Sequence, residues 1–422
     1  MEIFFKIFIV YNSVILGLII ILAINFFINL KSFKRISDFQ LNIIYKQTLP
    51  KISVLVPARN ESRKIENCLI SLLEQDYNKL EIIVLDDNST DDTHEKIKTL
   101  IDDYNAYKSS IPVNDDDKEK TIRLLSGLPL KDGWVGKNYA CYQLEKAATG
   151  DYILFTDADT VHSPDSISSG FQCLISNNLD ALSAFPEMQM DTFAEKMVIG
   201  FIRFGILLFL PLYSTKKIRH SLFNTALGSY MFYRRKAYRT AGGHAAIFDK
   251  CLEDINMSIL LKNKGFKFSV FDGYRTYSTR MYSSFTDIAK GFSRFILTTF
   301  NYKKFAPSIL ILSLSIILLL PFLVVLVLFI FYNLTSVTFG GEIILESLFN
   351  TGLILTILQV SLLLLIKTIY VSRFEGNIID ILLHPISIGI ILILGLSFTF
   401  GGKKTLTIDW KGRKYGLGKT AI

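Results

Sequence analysis

From Ile7 to Leu30 the chain carries no charged side chain, and from Pro307 to Phe400 it carries few. A helix crosses a hydrocarbon core in roughly 20 residues, so both stretches have the length to span a membrane. Such a chain sets a polar middle between lipid-seeking ends instead of folding as one water-soluble globule. Half of its 422 residues are hydrophobic, with 33 Phe and 19 Tyr.

Residues 1–30 read as a retained anchor, because only Lys6 precedes the apolar run and no small-residue cleavage pattern follows it. Lys31, Lys34 and Arg35 follow at once, and Lys303 and Lys304 precede the second apolar block. The positive-inside tendency then puts residues 31–304 in the cytoplasm, on a multi-pass protein of the cell membrane. Residues 305–402 divide into two or three spans, with breaks near Asn333–Glu342 and Ser372–Asn377, before a basic tail at 403–422. Three spans would leave that tail outside, against the same charge rule, unless one segment is re-entrant. Met197–Tyr213 is apolar but contains Arg203 and Pro211, so it reads as a helix lying in the interface.

Cys68, Cys141, Cys173 and Cys251 form no C-x-x-C pair and read as reduced thiols, neither a disulfide framework nor a zinc site. The net charge of +8 follows from basic residues flanking membrane segments against an anionic leaflet, and implies no nucleic-acid partner.

The middle of the chain alternates strand and helix patterns. Ile52–Val56 is a β-branched run ending at Pro57, followed by apolar residues at helical spacing (Ile65, Cys68, Leu69, Leu72, Leu73) within Arg63–Glu74. Glu81–Leu85 is a second strand, closed by Asp86-Asp87-Asn88-Ser89-Thr90, whose side chains can cap the next helix. Residues 102–120 are polar and acidic and read as a solvated excursion before a strand at Thr121–Leu125. A helix at Asn138–Ala148 and a strand at Tyr152–Phe155 lead into Asp157-Ala158-Asp159. This alternation predicts an α/β, mainly parallel, Rossmann-like sheet with helices on both faces. Ligands of such sheets sit outside the carboxyl ends of the strands, where Pro57–Glu61, Asp86-Asp87 and Asp157–Asp159 all fall.

Two carboxylates one residue apart at a strand end suit a hard divalent cation, Mg2+ or Mn2+, shared with a diphosphate. Acidic triplets are also common in solvated loops. Asp86 and Asp87 suit hydrogen bonding to a base and ribose, with turn capping as the plainer alternative. Arg59-Asn60-Glu61 reaches the same place, or makes a tight charged turn. Lys137, ending Lys131-Asp-Gly-Trp-Val-Gly-Lys137, is a mobile point charge suited to a phosphate oxygen, without Walker A spacing. Glu253-Asp254 opens the helix-like run Ile255–Lys264, either as a general base for an acceptor hydroxyl or as ordinary helix N-terminal charge. Arg280 and Arg294 flank a stretch leading to the membrane, where steadying a diphosphate competes with snorkelling beside headgroups. His244, after Gly242-Gly243, reads as a plain loop histidine.

In order along the chain, V-P-A-R-N-E, V-L-D-D-N-S-T-D-D-T, D-A-D and E-D resemble a family-2 glycosyltransferase of GT-A fold, over roughly Lys51 to Phe295. G-W-V-G-K-N-Y-A-C-Y-Q, A-G-G-H, R-M-Y, K-G-F-S-R-F and the terminal W-K-G-R-K-Y are similar to bacterial membrane glycosyltransferases of carotenoid and hopanoid pathways. The resemblance implies a nucleotide pocket lined by Pro57, Arg59, Glu61, Asp86 and Asp87. It implies that Asp159, and less directly Asp157, faces the metal. It implies Asp254 as the base with Glu253 beside it, and Lys137 and Arg294 near the leaving diphosphate. The reaction implied is one inverting transfer, with UDP-glucose as the first expectation for the donor and a membrane lipid or isoprenoid as the acceptor. Processive relatives carry Q-x-x-R-W where this chain has Lys290-Gly-Phe-Ser-Arg294-Phe295, so a single transfer is expected.

Rival readings of the same fold are a polyprenyl-phosphate sugar synthase and a glycosyldiacylglycerol synthase. A membrane scaffold that binds nucleotide without catalysis is a rival of another class. The low count of ionisable groups in the C-terminal apolar block, where Lys367 and His384 stand out, disfavours a transporter.

Overall fold

A computed structural model of the chain describes residues 1–40, 49–110, 120–214, 225–282, 284–289, 291–292, 305–335, 343–400, 407–411 and 413–416. The chain divides into two compact units, each assembled from segments distant in sequence.

One unit comprises Ser32–Gln189, Leu212–Met281 and Thr405–Ile422. Its strands are β1 (Ile52–Ala58), β2 (Leu80–Asp86), β3 (Thr121–Ser126), β4 (Tyr152–Phe155), β5 (Thr160–His162), β6 (Ala181–Met188), β7 (Met231–Arg234) and β8 (Phe268–Thr279), in the order β3-β2-β1-β4-β7-β6-β8-β5. β1 pairs in parallel with both β2 and β4, β2 with β3, and β6 with β8, while β7 lies antiparallel between β4 and β6. The result is a mainly parallel GT-A-type sheet, as the strand–helix alternation predicted. β1 is longer than expected: it continues through Pro57, which faces Leu85 in register, to Ala58.

The helix after β1 buries the spacing seen in the sequence, with Ile65, Cys68, Leu69 and Leu72 inward on α2 (Ile65–Leu73). Truncating such a residue to Ala costs about 2–5 kcal/mol. The acidic excursion begins later than expected, because the next helix runs from Thr93 to Ser110. Ile97, Leu100, Ile101 and Tyr104 give that helix an apolar stripe against the core, which outweighs its polar composition. Residues 111–119 of the expected excursion lie outside the described residues. Gly150 enters β4 so close to β1 that a Cβ would stand 2.8 Å from the Lys51 carbonyl and the Ser53 nitrogen. No side chain fits there.

The other unit comprises Met1–Lys31, Met190–Pro211 and Tyr282–Lys404. Among the described residues two of its helices, Glu2–Ser32 and Ile344–Arg373, are long and apolar enough to cross a membrane; Ser308–Leu318 and Leu320–Ile330, bent by 44°, make a third if they count as one span. Three asparagines of the N-terminal run are bonding sites. Asn25 and Asn29 donate to the Leu208 and Leu207 carbonyls at 2.8 Å, beside the end of the helix Phe193–Phe209. Asn12 accepts from Thr356 and Gln359, each at 3.0 Å. Among apolar helices such bonds act as specific glue. That Phe193–Phe209 helix covers most of the expected interfacial segment, and it places the Arg203 guanidinium 4.0 Å over the Phe374 ring.

Candidate active site

Three parallel strands deliver their carboxyl ends to one edge of the sheet, and a small crevice opens beside them, lined in part by Pro57, Asp157, Lys137, Glu253 and Asp254. The turn after β4 is set by buried hydroxyls. Thr156 Oγ1 donates to the Ser229 carbonyl at 2.9 Å, and Thr160 Oγ1 donates to the Asp157 carbonyl at 2.7 Å. These bonds hold Asp157 and Asp159 on a rigid support.

Lys137 enters from the first turn of α4 (Gly136–Ala147). Its Nζ lies 2.7 Å from Asp157 Oδ1 and 2.7 Å from Glu253 Oε1, so one ammonium bridges the D-A-D turn and the Glu253-Asp254 pair. Its neighbour Asn138 fixes this placement. Fully buried, it donates to the Ile247 carbonyl at 2.7 Å and the Lys250 carbonyl at 2.9 Å, clamping α4 to the loop that leads into α8 (Glu253–Asn263). Leu252, immediately before that helix, has φ 59°, a left-handed conformation that disfavours a residue with a Cβ.

Asp254 accepts from the backbone N–H of Gly228 at 3.0 Å and from its neighbour Ile255 at 2.8 Å. Burial, and then the charge of Glu253, push its carboxyl up to about 7, against the opposing pull of Lys137. Glu253, despite its own burial, is held below the usual carboxylate range by Lys137. One carboxyl of the pair thus stays ionised while the other exchanges its proton near neutrality, the behaviour required of an acid or base. His244 also lines this crevice, shares a hydrogen bond of 2.6 Å between its Nδ1 and the Tyr238 hydroxyl, and is driven down to about 3 by burial, so it is neutral.

Asp86 and Asp87 part company. Asp86 Oδ1 accepts from Ser89 N at 3.2 Å and Oδ2 lies 3.2 Å from His94 Nδ1, so it serves the turn. Asp87 instead meets Arg413, whose Nη2 donates to Oδ1 at 3.0 Å. Arg59 donates to the Asn88 carbonyl at 2.7 Å and Glu61 pairs with Lys411 at 2.6 Å. Asp159 pairs with Lys64 at 3.3 Å, and its carboxyl is pushed up by burial and then by Asp157. Arg280 contributes its carbonyl to Lys64 at 2.8 Å, and Arg294 lies outside the described residues.

Sequence reading did not single out Lys64, Asn138, Gly228, Lys411 or Arg413. The W-K-G-R-K-Y string contained the last two, but only chain return reveals where they go.

Among families, the one described as Glycosyl transferase family group 2 matches residues 152–395, more than half of the chain, and Glycosyl transferase family 2 matches residues 53–242. The chain is a family-2 glycosyltransferase. It is similar to 4,4'-diaponeurosporenoate glycosyltransferase of Staphylococcus aureus (strain MRSA252), with 24% identity over 379 residues, 87% of this chain and 89% of that protein. The same-named protein of strain USA300 is 23% identical over the same shares. The mannosyltransferase PcManGT from Pyrobaculum calidifontis, solved in complex with GDP-Man and Mn2+, matches with a TM-score of 0.52 at 14% identity, over 95% of this chain and 99% of that one. This likeness carries the fold of the family-2 glycosyltransferase.

Proposed function

We propose that this glycosyltransferase moves one sugar from a nucleoside-diphosphate donor, UDP-glucose as first candidate, to a lipid or isoprenoid acceptor at the cytoplasmic face of a membrane. The observation that carries the reading is the Lys137 bridge, which couples Asp157 on the donor side to Glu253 beside Asp254. The names of the staphylococcal relatives support an acceptor of carotenoid type.

In this reading Pro57, Arg59, Glu61 and Asp87 line the nucleotide end, and Asp86 shapes the turn that presents Asp87. Asp254 takes the proton of an acceptor hydroxyl. The acceptor oxygen attacks the anomeric carbon, the bond from that carbon to the diphosphate oxygen breaks, and the nucleoside diphosphate leaves with inversion. Lys137 faces the departing charge, and electrostatic stabilisation there is the largest contribution to catalysis. Arg294 is assigned to the same end by family resemblance alone.

The residues present fit a divalent cation, Mg2+ or Mn2+. The charge of Asp157 helps push the Asp159 carboxyl up, a repulsion that a cation removes. Among the described residues no three His, Cys, Asp or Glu side chains gather as a metal cage, so donor phosphates and water would complete the coordination. When bound, the cation supplies positive charge to the diphosphate.

Untargeted mass spectrometry of lipid extracts, from cells expressing the wild type or Asp254→Asn, tests the reading. A lipid gaining one hexose mass only with the wild type is the expected result and identifies the acceptor class. Equal hexosylation by both forms would remove Asp254 from the role of base.

A further inference from the structure

After the apolar helices the chain returns to the sheet-bearing unit as a two-stranded hairpin, β9 (Thr407–Trp410) and β10 (Arg413–Gly416), paired antiparallel. Its tip is anchored at three points just beyond the carboxyl ends of β1 and β2. Arg413 grips both carboxylate oxygens of buried Asp87 in a two-pronged pair. Lys411 Nζ lies 2.6 Å from Glu61 Oε1, and Arg59 Nε donates to the Lys411 carbonyl at 3.2 Å.

This is more than a surface ion pair. A bidentate Arg–carboxylate contact is geometrically specific, and it leaves an uncompensated buried charge when broken. Of the other cations nearby, Lys137 pairs with Asp157 and Glu253 and Lys64 with Asp159, while Arg59 adds its charge beside Asp87. Among the described residues, the ion pairs of Glu61 and Asp87 both come from the hairpin. Lys411 is also close enough to Asp159 for its charge to act there. An ammonium on a flexible stem between Glu61 and Asp159 is matched to a phosphate oxygen.

We propose that the tail hairpin completes the donor site, with Arg413 positioning Asp87 for the nucleoside and Lys411 binding the diphosphate of the donor. The inference rests on the donor-site reading above.

The test is binding of UDP, and separately GDP, with Mn2+ to the detergent-solubilised full chain and its variants. Arg413→Ala is expected to weaken nucleotide binding 10- to 100-fold, with Arg413→Lys recovering only part because an ammonium lacks the fork. Lys411→Ala is expected to raise the donor KM about 10-fold and to lower kcat as well, because the diphosphate is the leaving group, while the melting temperature stays within about 2 °C of wild type, a pattern that general misfolding would not give. A chain ending at Lys404 should bind as weakly as the combined variant. Unchanged or tighter binding after truncation would overturn the proposal and mark the hairpin as an ornament or a plug. Asp159→Asn separates the two readings. If it loses binding while hairpin variants keep it, only the hairpin role fails. If the wild type binds neither nucleotide, the donor site and the hairpin role fall together.

Discussion

The backbone N–H of Gly228 donates to Oδ2 of Asp254 at 3.0 Å, so a loop far away in sequence sets the orientation of the candidate base. A Cβ at Gly228 would stand 3.0 Å from Glu253 Oε1 and 3.0 Å from Lys137 Nζ. Both are ends of flexible side chains, so the fold can yield where the site cannot. Gly228→Ala should lower kcat about 10- to 100-fold, since small misplacements near reacting groups have effects of that order. Its melting temperature should stay within about 2 °C of wild type. Paired turnover and thermal-unfolding measurements check this, and a large loss of stability with full activity would contradict it.

The Asp254 carboxyl, pushed up to about 7, sets a pH dependence. A base must be ionised, so transfer to a hydroxyl acceptor should climb about tenfold per pH unit below about 7 and level off above it. Lys137→Met removes the cation that pulls this value down, so the rising limb should move to higher pH. A carboxylate acceptor is ionised already and would show little of this limb. Stability runs the other way: the folded chain binds an extra proton between the ordinary Asp value and about 7, so this contribution is full at low pH and is lost as pH rises through about 7. Rate and unfolding profiles from pH 5 to 9 separate these effects.

Asn138 has no charge and touches no reacting atom, yet its amide holds Lys137 in register with Glu253. Asn138→Ala strands buried carbonyls and should cost about 1–3 kcal/mol of stability. Asn138→Asp keeps the shape but turns donors into acceptors against the Ile247 and Lys250 carbonyls, so it should be at least as damaging. Denaturant unfolding of the two variants decides; a benign Asp would show that the clamp is unimportant.

Chelation should abolish donor binding and turnover, and added Mn2+ or Mg2+ should restore both. Asp159→Asn should resist restoration more than Asp157→Asn, because Asp157 is held more tightly by its lysine, at 2.7 Å from Lys137 against 3.3 Å between Asp159 and Lys64. Calorimetric titration of Mn2+ into wild type and both variants, with UDP present, measures the difference.

Much of the sheet was legible because its signals are local. β-branched runs at Ile52–Val56 and Glu81–Leu85, and helical spacing from Ile65 to Leu73, each report the face a segment must bury. The acidic groups at strand ends followed from the parallel topology those segments imply. Local polarity misled at residues 102–110, which continue a helix anchored by Ile97, Leu100, Ile101 and Tyr104 on the core.

The amino-acid sequence by itself determined the membrane-seeking ends, the α/β middle and the family, since periodicity and motif order act over short distances. Tertiary structure alone decided that Lys137 joins Asp157 to Glu253, that Asp86 serves a turn while Asp87 meets an arginine, and that the last strands of the chain return to the first. Such pairings join residues up to 352 positions apart. They are set by the packing of whole elements, and no local pattern of side chains encodes which distant charge will arrive.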